Sequence, residues 1–230
     1  MRLLTLSDRS NMKKIVGLTL GIACLAAVFG AQATTSAQLS VRGTIKPASC
    51  NLSMTGGGNI NYGDIPSSSL SQTAYTPLRE MTTPLTINCG AGYTQFGLTF
   101  DDLQPNSRVR DILSALNQGH RDIHNFGLGT VAQKNTGGYA ITLKNLQSTG
   151  KTLSLITRGT NAGAWQNSDG KVAWQSSQYS WRSGEVLVPA SLSQMSGTIA
   201  VRAVINKAQD LTLNRDVTLD GRATLTLVYL

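Results

Sequence analysis

The sequence is poor in the residues that carry chemistry. It has two histidines, three cysteines and only 14% charged residues among its 230. His120 and His124 stand four apart, on one face only if their segment is helical, and Gly119 directly before them works against that. Without a Glu beside His120, a zinc-protease site lacks its general base. The sequence has no Gly-x-Ser-x-Gly elbow and no Gly-rich loop ending in Lys-Ser/Thr, so the serine-hydrolase and phosphate-cradle signatures are missing. Asp101 and Asp102 are adjacent, and adjacent strand residues point to opposite faces, so they cannot work as an acid/base couple. The expectation is a protein with no catalytic residue, no metal and no cofactor.

Long apolar runs are equally scarce. Lys13 and Lys14 precede an uncharged stretch from Ile15 to Gly30, and Ala31-Gln32-Ala33 supplies a small-x-small cleavage site. Residues 1–33 therefore read as a secretory signal peptide, with Met12 an alternative start because the segment before it adds nothing to the basic n-region. The run is short for a bilayer span and no other follows, so the product is expected to be soluble, exported and without a membrane span. A lipid-attachment reading of Cys24 meets Gly21 where a lipobox wants Leu. Loss of the leader removes Cys24 and leaves Cys50 and Cys89, an even count in an oxidising compartment, expected to form a disulfide. It also removes Arg2, Arg9, Lys13, Lys14 and Asp8, lowering the net charge from +8 to +5. The remaining Lys and Arg are scattered without a phosphate-tracking run, which argues against a nucleic-acid partner.

What the sequence does have is period-two alternation, in short runs broken by Gly, Asn, Ser and Pro. Such runs begin with Leu39, Val41 and Ile45, then Leu85–Ile87 and Phe96–Phe100. They continue with Tyr139–Leu143, Leu153–Ile156, Val172–Trp174, Val186–Val188, Thr198–Val204 and Ala223–Tyr229. Many short strands with Gly-rich turns predict an all-β, antiparallel β-sandwich. One stretch departs from this. Val109, Ile112, Leu113 and Leu116 are spaced as one face of a short amphipathic helix between Arg108 and Asn117, with Asn106 or Ser107 able to cap it. Trp165, Trp174, Tyr179 and Trp181 are open to two readings: aromatic platforms for a sugar, with Asn167 and Asp169 nearby, or core packing in strands.

The run Gly43-Thr44-Ile45-Lys46-Pro47-Ala48-Ser49-Cys50, a partner cysteine in Leu85-Thr86-Ile87-Asn88-Cys89, and a terminal strand with Tyr229 next to last resemble the subunits of chaperone–usher pili. Gly56–Gly63, Asn125–Gly129 and Leu219–Leu230 are similar to enterobacterial exported proteins described as beta-fimbriae subunit-like, of uncharacterised function. The resemblance implies a pilin-type, immunoglobulin-like sandwich that lacks its last strand. It implies three partners: a periplasmic pilus chaperone, an outer-membrane usher and other pilus subunits. It divides the mature chain into an N-terminal donor arm, residues 34–42, and a sandwich domain, residues 43–230. Ala223, Leu225, Leu227 and Tyr229 become the strand bordering the open groove, and Ala37, Leu39 and Val41 the side chains an arm places in a neighbour's groove. Such strand addition takes affinity from backbone hydrogen bonds and register from alternate side chains. The implied product is a structural subunit of a cell-surface fimbrium, in the periplasm during transit. The alternative is a self-contained periplasmic or secreted binding protein, carbohydrate-binding through Trp165, Trp174 or Trp181.

Overall fold

A computed structural model of the chain describes residues 36–44, 49–161 and 163–230; the expected signal peptide and the Ile45–Ala48 part of the expected first strand lie outside them. The chain divides into two units, Met1–Thr44 and Ile45–Leu230. In the first, residues 36–44 have no regular secondary structure, and Leu39 and Val41 are each 88% exposed.

The second unit is an antiparallel β-sandwich. One sheet runs, in spatial order, Asn51–Met54, Met81–Asn88, Gln194–Ile205, Gly137–Ser148 and Phe126–Gly127. The other runs Gln166–Asn167, Ser154–Gly159, Ser177–Arg182, Phe96–Asp102 and Ala223–Tyr229. An immunoglobulin sandwich places its first, second, fifth and fourth strands in one sheet, and its third, sixth and seventh in the other. Here Asn51–Met54, Met81–Asn88, Gln194–Ile205 and Gly137–Ser148 follow that first order, and Ala223–Tyr229 takes the sixth place beside Phe96–Asp102. No strand of the described residues lies on its other side. Ser154–Gly159 and Ser177–Arg182 are additions that widen the second sheet at its far edge.

Alternation builds the core. Met81–Asn88 buries Thr83, Leu85 and Ile87 while Thr82, Pro84 and Thr86 face out. Phe96 packs edge-on against Trp181 with ring centroids 5.0 Å apart, Phe100 against Tyr179 at 5.9 Å, and Phe126 stacks on Tyr139 at 5.3 Å. These offset and edge-to-face arrangements are the favourable ones for aromatic quadrupoles; the first two join neighbouring strands of the second sheet and the third neighbouring strands of the first. The disulfide follows from register: Asn51 lies opposite Asn88, so Cys50 and Cys89 occupy the next rung, and they are bonded.

Several expected elements differ. The Arg108–Asn117 segment is not an α-helix but a five-residue 3-10 helix, Ile112–Leu116, bounded by Asp111 and Asn117, both in the left-handed region. The apolar spacing correctly marks a buried face, since Ile112, Leu113 and Leu116 are buried. The left-handed residues at each end stop helical hydrogen bonding from propagating. Ser107 does not cap this helix; its buried hydroxyl donates to the Gln104 carbonyl and accepts the Gly129 N–H. Gly43 and Thr44 are not in a strand, and Cys50 directly precedes the first described strand, Asn51–Met54. Val186–Val188 is an exposed bend between Gly184 and Pro189, and Val172–Trp174 is not a strand, although Val172 and Ala173 are buried.

Candidate functional site: an open strand edge above a cleft

The Leu103 N–H donates to the Arg222 carbonyl (2.9 Å) and the Leu230 N–H to the Gln95 carbonyl (3.1 Å), at the two ends of one ladder. Because backbone groups alternate from side to side along an antiparallel strand, the even-numbered residues bond to Phe96–Asp102. Ala223, Leu225, Leu227 and Tyr229 therefore aim their N–H and C=O groups at the open edge. The same four share a face with the core: Leu225 is opposite Phe100, Leu227 opposite Leu98 and Tyr229 opposite Phe96. Phe96 and Leu98 are 0% exposed and Phe100 2%, yet Leu225 and Leu227 are only half-buried, Ala223 is exposed and Tyr229 is 51% exposed. Two neighbouring rows on one face differ because side chains on a sheet need neighbours on both sides to be covered, and the outer row has one.

Beside this row lies a cleft of about 230 Å³. Ala223, Leu225 and Gly221 line one side, Met54, Ile60 and Tyr62 another, and Tyr139, Ile141 and Ile199 come from the core. Gly56, Gly57 and Gly58 all have positive φ, a turn that side chains would strain, and it leads the chain into Asn59–Tyr62. There the Tyr62 hydroxyl donates to the Val201 carbonyl (3.2 Å) and accepts the Ala203 N–H (3.1 Å), fastening this segment to the Gln194–Ile205 strand. Burial raises the Tyr62 pKa, so the hydroxyl stays protonated and able to donate. A second cleft of about 900 Å³ shares Ile60, Tyr62 and Leu219 with the first and is more polar, lined also by Asp64, Arg215 and Asp216.

The four residues expected on the bordering strand are not equivalent. Ala223 and Leu225 line the cleft, and Leu227 packs on the core. Tyr229 is held at the far end, where its hydroxyl accepts the Cys50 N–H at 2.8 Å beside the disulfide. Leu219 and Gly221 also line the cleft; the sequence marks them only as part of the Leu219–Leu230 stretch and not as groove residues, because they precede the alternating run. At the near end Asp102, opposite Ala223, accepts the N–H groups of Gln104 (2.8 Å) and Gly127 (2.9 Å), with Arg108 Nε at 3.9 Å. Burial raises its pKa, opposed by those two backbone bonds and by Arg108. It acts as a structural acid that pins the loops at the head of the terminal strand.

The three tryptophans divide. Trp181 is 0% exposed and packs on Phe96, so it has no face for a sugar, which corrects its assignment as a ligand aromatic. Trp174 is half-buried with the Arg108 guanidinium 3.8 Å over its ring, and Trp165 carries Arg158 at 4.5 Å. Each remaining indole has one face already occupied by a cation. His120 and His124 meet edge to face at 5.8 Å, and His124 Nδ1 accepts the Arg121 N–H at 3.1 Å. Burial, the first cause for both, lowers their pKa values, that of His124 to about 4. Among the described residues no group of three or more His, Cys, Asp or Glu side chains is arranged to hold a metal ion, and no helix is long and apolar enough to cross a membrane.

A family model described as "Protein of unknown function (DUF1120)" matches residues 39–165. The chain belongs to this family. The match runs from Leu39 through both cysteines to Trp165, and so includes the Met54–Tyr62 side of the cleft but not the terminal strand. The chain is also 27% identical over 224 residues to an Escherichia coli (strain K12) protein named "Uncharacterized protein YhcF", covering 87% of this chain and 93% of that one. Among solved structures, the P pilus rod subunit PapA aligns with 79% of this chain and 99% of its own at 12% identity and a TM-score of 0.36. The strand order of the DUF1120 chain itself, not that distant likeness, carries the fold assignment.

Proposed function

We propose that this protein is a structural pilus subunit, exported through the periplasm, that assembles by donor-strand exchange and has no catalytic role. The observation that carries the reading is the Ala223–Tyr229 strand. It presents backbone groups with no strand partner among the described residues, and a half-covered apolar row, on one edge beside a cleft between the sheets. An incoming strand would satisfy the backbone groups and cover Ala223 and Leu225 at once. Left open, such an edge invites uncontrolled pairing, so a periplasmic chaperone would shield it before an outer-membrane usher and the next subunit replace it. The exposed alternation of Ala37, Leu39 and Val41 is the segment suited to be donated. The Cys50–Cys89 bond is compatible with export.

The test is deletion of Thr34–Val41. The shortened chain should still be exported and recovered as a chaperone-bound subunit, but should not polymerise; polymers formed from it would sink the reading. The alternative of a sugar-binding module draws no support from the tryptophans, one buried and two capped by arginine.

A further inference from the structure

We infer that the arm of a second copy of this chain docks antiparallel to Ala223–Tyr229 in one register, with Ala37 opposite Leu225, Leu39 opposite Ala223, Val41 opposite Gly221 and Arg42 opposite Asp220. The inference rests on the donor-strand reading and adds which residues meet.

Size complementarity is the first ground. The arm's inward side chains run small, large, medium, and the facing positions Leu225, Ala223 and Gly221 run large, small, none. Gly221 packs so closely that a Cβ would lie 2.7 Å from Tyr139 Cε1 and 3.1 Å from Leu128 Cδ1. The strand can add no side chain there, and the volume beside it is left for Val41. Sliding the arm two residues toward Tyr229 sets Leu39 against Leu225 and Arg42 against Arg222, a like-charge pair across strands. Sliding it two residues the other way faces Ala37 with Ala223 and gives Arg42 only Thr218.

Charge is the second ground. In the inferred register Arg42 meets Asp220, whose side chain is half exposed and uses Oδ2 for both Gln104 Nε2 (3.1 Å) and Arg222 (2.8 Å). Oδ1 has no hydrogen-bond partner among the described residues and is free for a second guanidinium. On the same outer face Ser40 meets Arg222 and Gln38 meets Thr224. A parallel arm brings Arg42 to Asp220 only by running back over residues 215–219, away from the open strand.

Length is the third. In this register Thr34, first after the expected cleavage, lies opposite Val228. The arm then stops one residue short of Tyr229, whose hydroxyl is already bonded to the Cys50 N–H. The closed end of the groove and the start of the arm coincide.

Cysteine pairing between copies tests the register. The even-numbered residues of the terminal strand form the non-hydrogen-bonded rungs on its open edge, where facing Cα atoms approach to about 4.5 Å, within disulfide reach. Cells exporting one chain with Gln38→Cys and another with Thr224→Cys should yield a linked dimer on a non-reducing gel. It should be at least about ten-fold more abundant than with Thr226→Cys in place of Thr224→Cys. All three sites are exposed, so the substitutions leave the core alone. Linkage favouring Thr226→Cys, or none at Thr224→Cys while polymers still form, overturns the register and leaves the donor-strand reading intact. Polymerisation by the arm-deleted chain overturns the underlying reading instead. A second arm checks charge: Arg42→Glu should lower assembly about two- to five-fold, the worth of an exposed ion pair, and Asp220→Lys in the accepting copy should restore it. Unchanged assembly with Arg42→Glu removes the Arg42–Asp220 contact.

Discussion

If the terminal strand lacks a neighbour, supplying one from the chain's own end should stabilise the domain by an amount that depends on the donated side chains. The perturbation is an extension after Leu230: a flexible Gly/Ser linker of about six residues, long enough to let the strand turn back and settle in its own register but too short to span the strand, followed by a copy of Thr34–Gly43. A hairpin returns antiparallel, so the added strand lies along the open edge of Ala223–Tyr229. The matched control carries the same extension with Leu and Val of the copied arm replaced by Ser. Both forms bear the same ordering cost and offer the same backbone bonds, so the difference isolates the side chains. Burying a Leu and a Val is worth about 1.5–3 kcal/mol each, so the native extension should exceed the control by about 3–6 kcal/mol if both are fully covered. Leu225 and Ala223 would be covered further, in both forms. For a domain of this size each kcal/mol moves the melting midpoint by about 2–4 °C, which predicts a gap of about 6–24 °C by differential scanning calorimetry. The native extension should also block polymerisation, its groove being full. Equal midpoints for the two extensions would refute the groove as an apolar acceptor, because the residues said to fill it would contribute nothing.

Other outcomes follow from the same geometry. Cys50→Ser, or full reduction, should cost roughly 4 kcal/mol on the chain-entropy view of the 39-residue loop. It should also loosen the Tyr229 end of the strand, read as faster amide exchange at Leu227–Tyr229; unchanged exchange there would separate the disulfide from the strand. The His120–His124 pair predicts acid sensitivity. Their folded pKa values lie below the ordinary histidine value of 6.5, that of His124 at about 4, so protonation favours the unfolded chain. Their contribution to stability is complete above pH 6.5 and is lost as pH falls toward 4. The double change His120→Phe, His124→Phe should flatten urea midpoints measured between pH 7 and pH 4; an unaltered slope would place the acid sensitivity elsewhere. Asp102 has the opposite sign, its raised pKa adding stability at low pH that is lost as pH rises, and so does not mimic the histidine effect.

Alternation made the sandwich legible in the sequence. Five of the runs read as strands, from Leu85–Ile87 to Ala223–Tyr229, lie within strands of the structure and Leu153–Ile156 misses by one residue, since a period of two suits a sheet with one covered face. The cysteine pair was legible from its count and the compartment, and the apolar face of Arg108–Asn117 from its spacing. That segment's helix type was not, because Asp111 and Asn117 take the left-handed conformation that ends helical hydrogen bonding on both sides, and Asp and Asn permit that conformation without requiring it. The Val186–Val188 run shows the converse failure: β-branched residues without a neighbouring strand remain an exposed bend. The tryptophans were undecidable from sequence, since a core ring and a ligand platform have the same residue type and only burial separates them.

The terminal strand divides in the same way. Its alternation, its inward set and its pairing potential are local properties, and Ala223–Tyr229 alone determined them. Which edge stays open, which of its four inward residues line the cleft, and that Tyr229 closes the far end on Cys50 were decided by tertiary structure. The reason is that each depends on what lies opposite. Phe96, Leu98 and Phe100 come from more than a hundred positions earlier in the chain, and Cys50 from 179 earlier, contacts that no local pattern encodes.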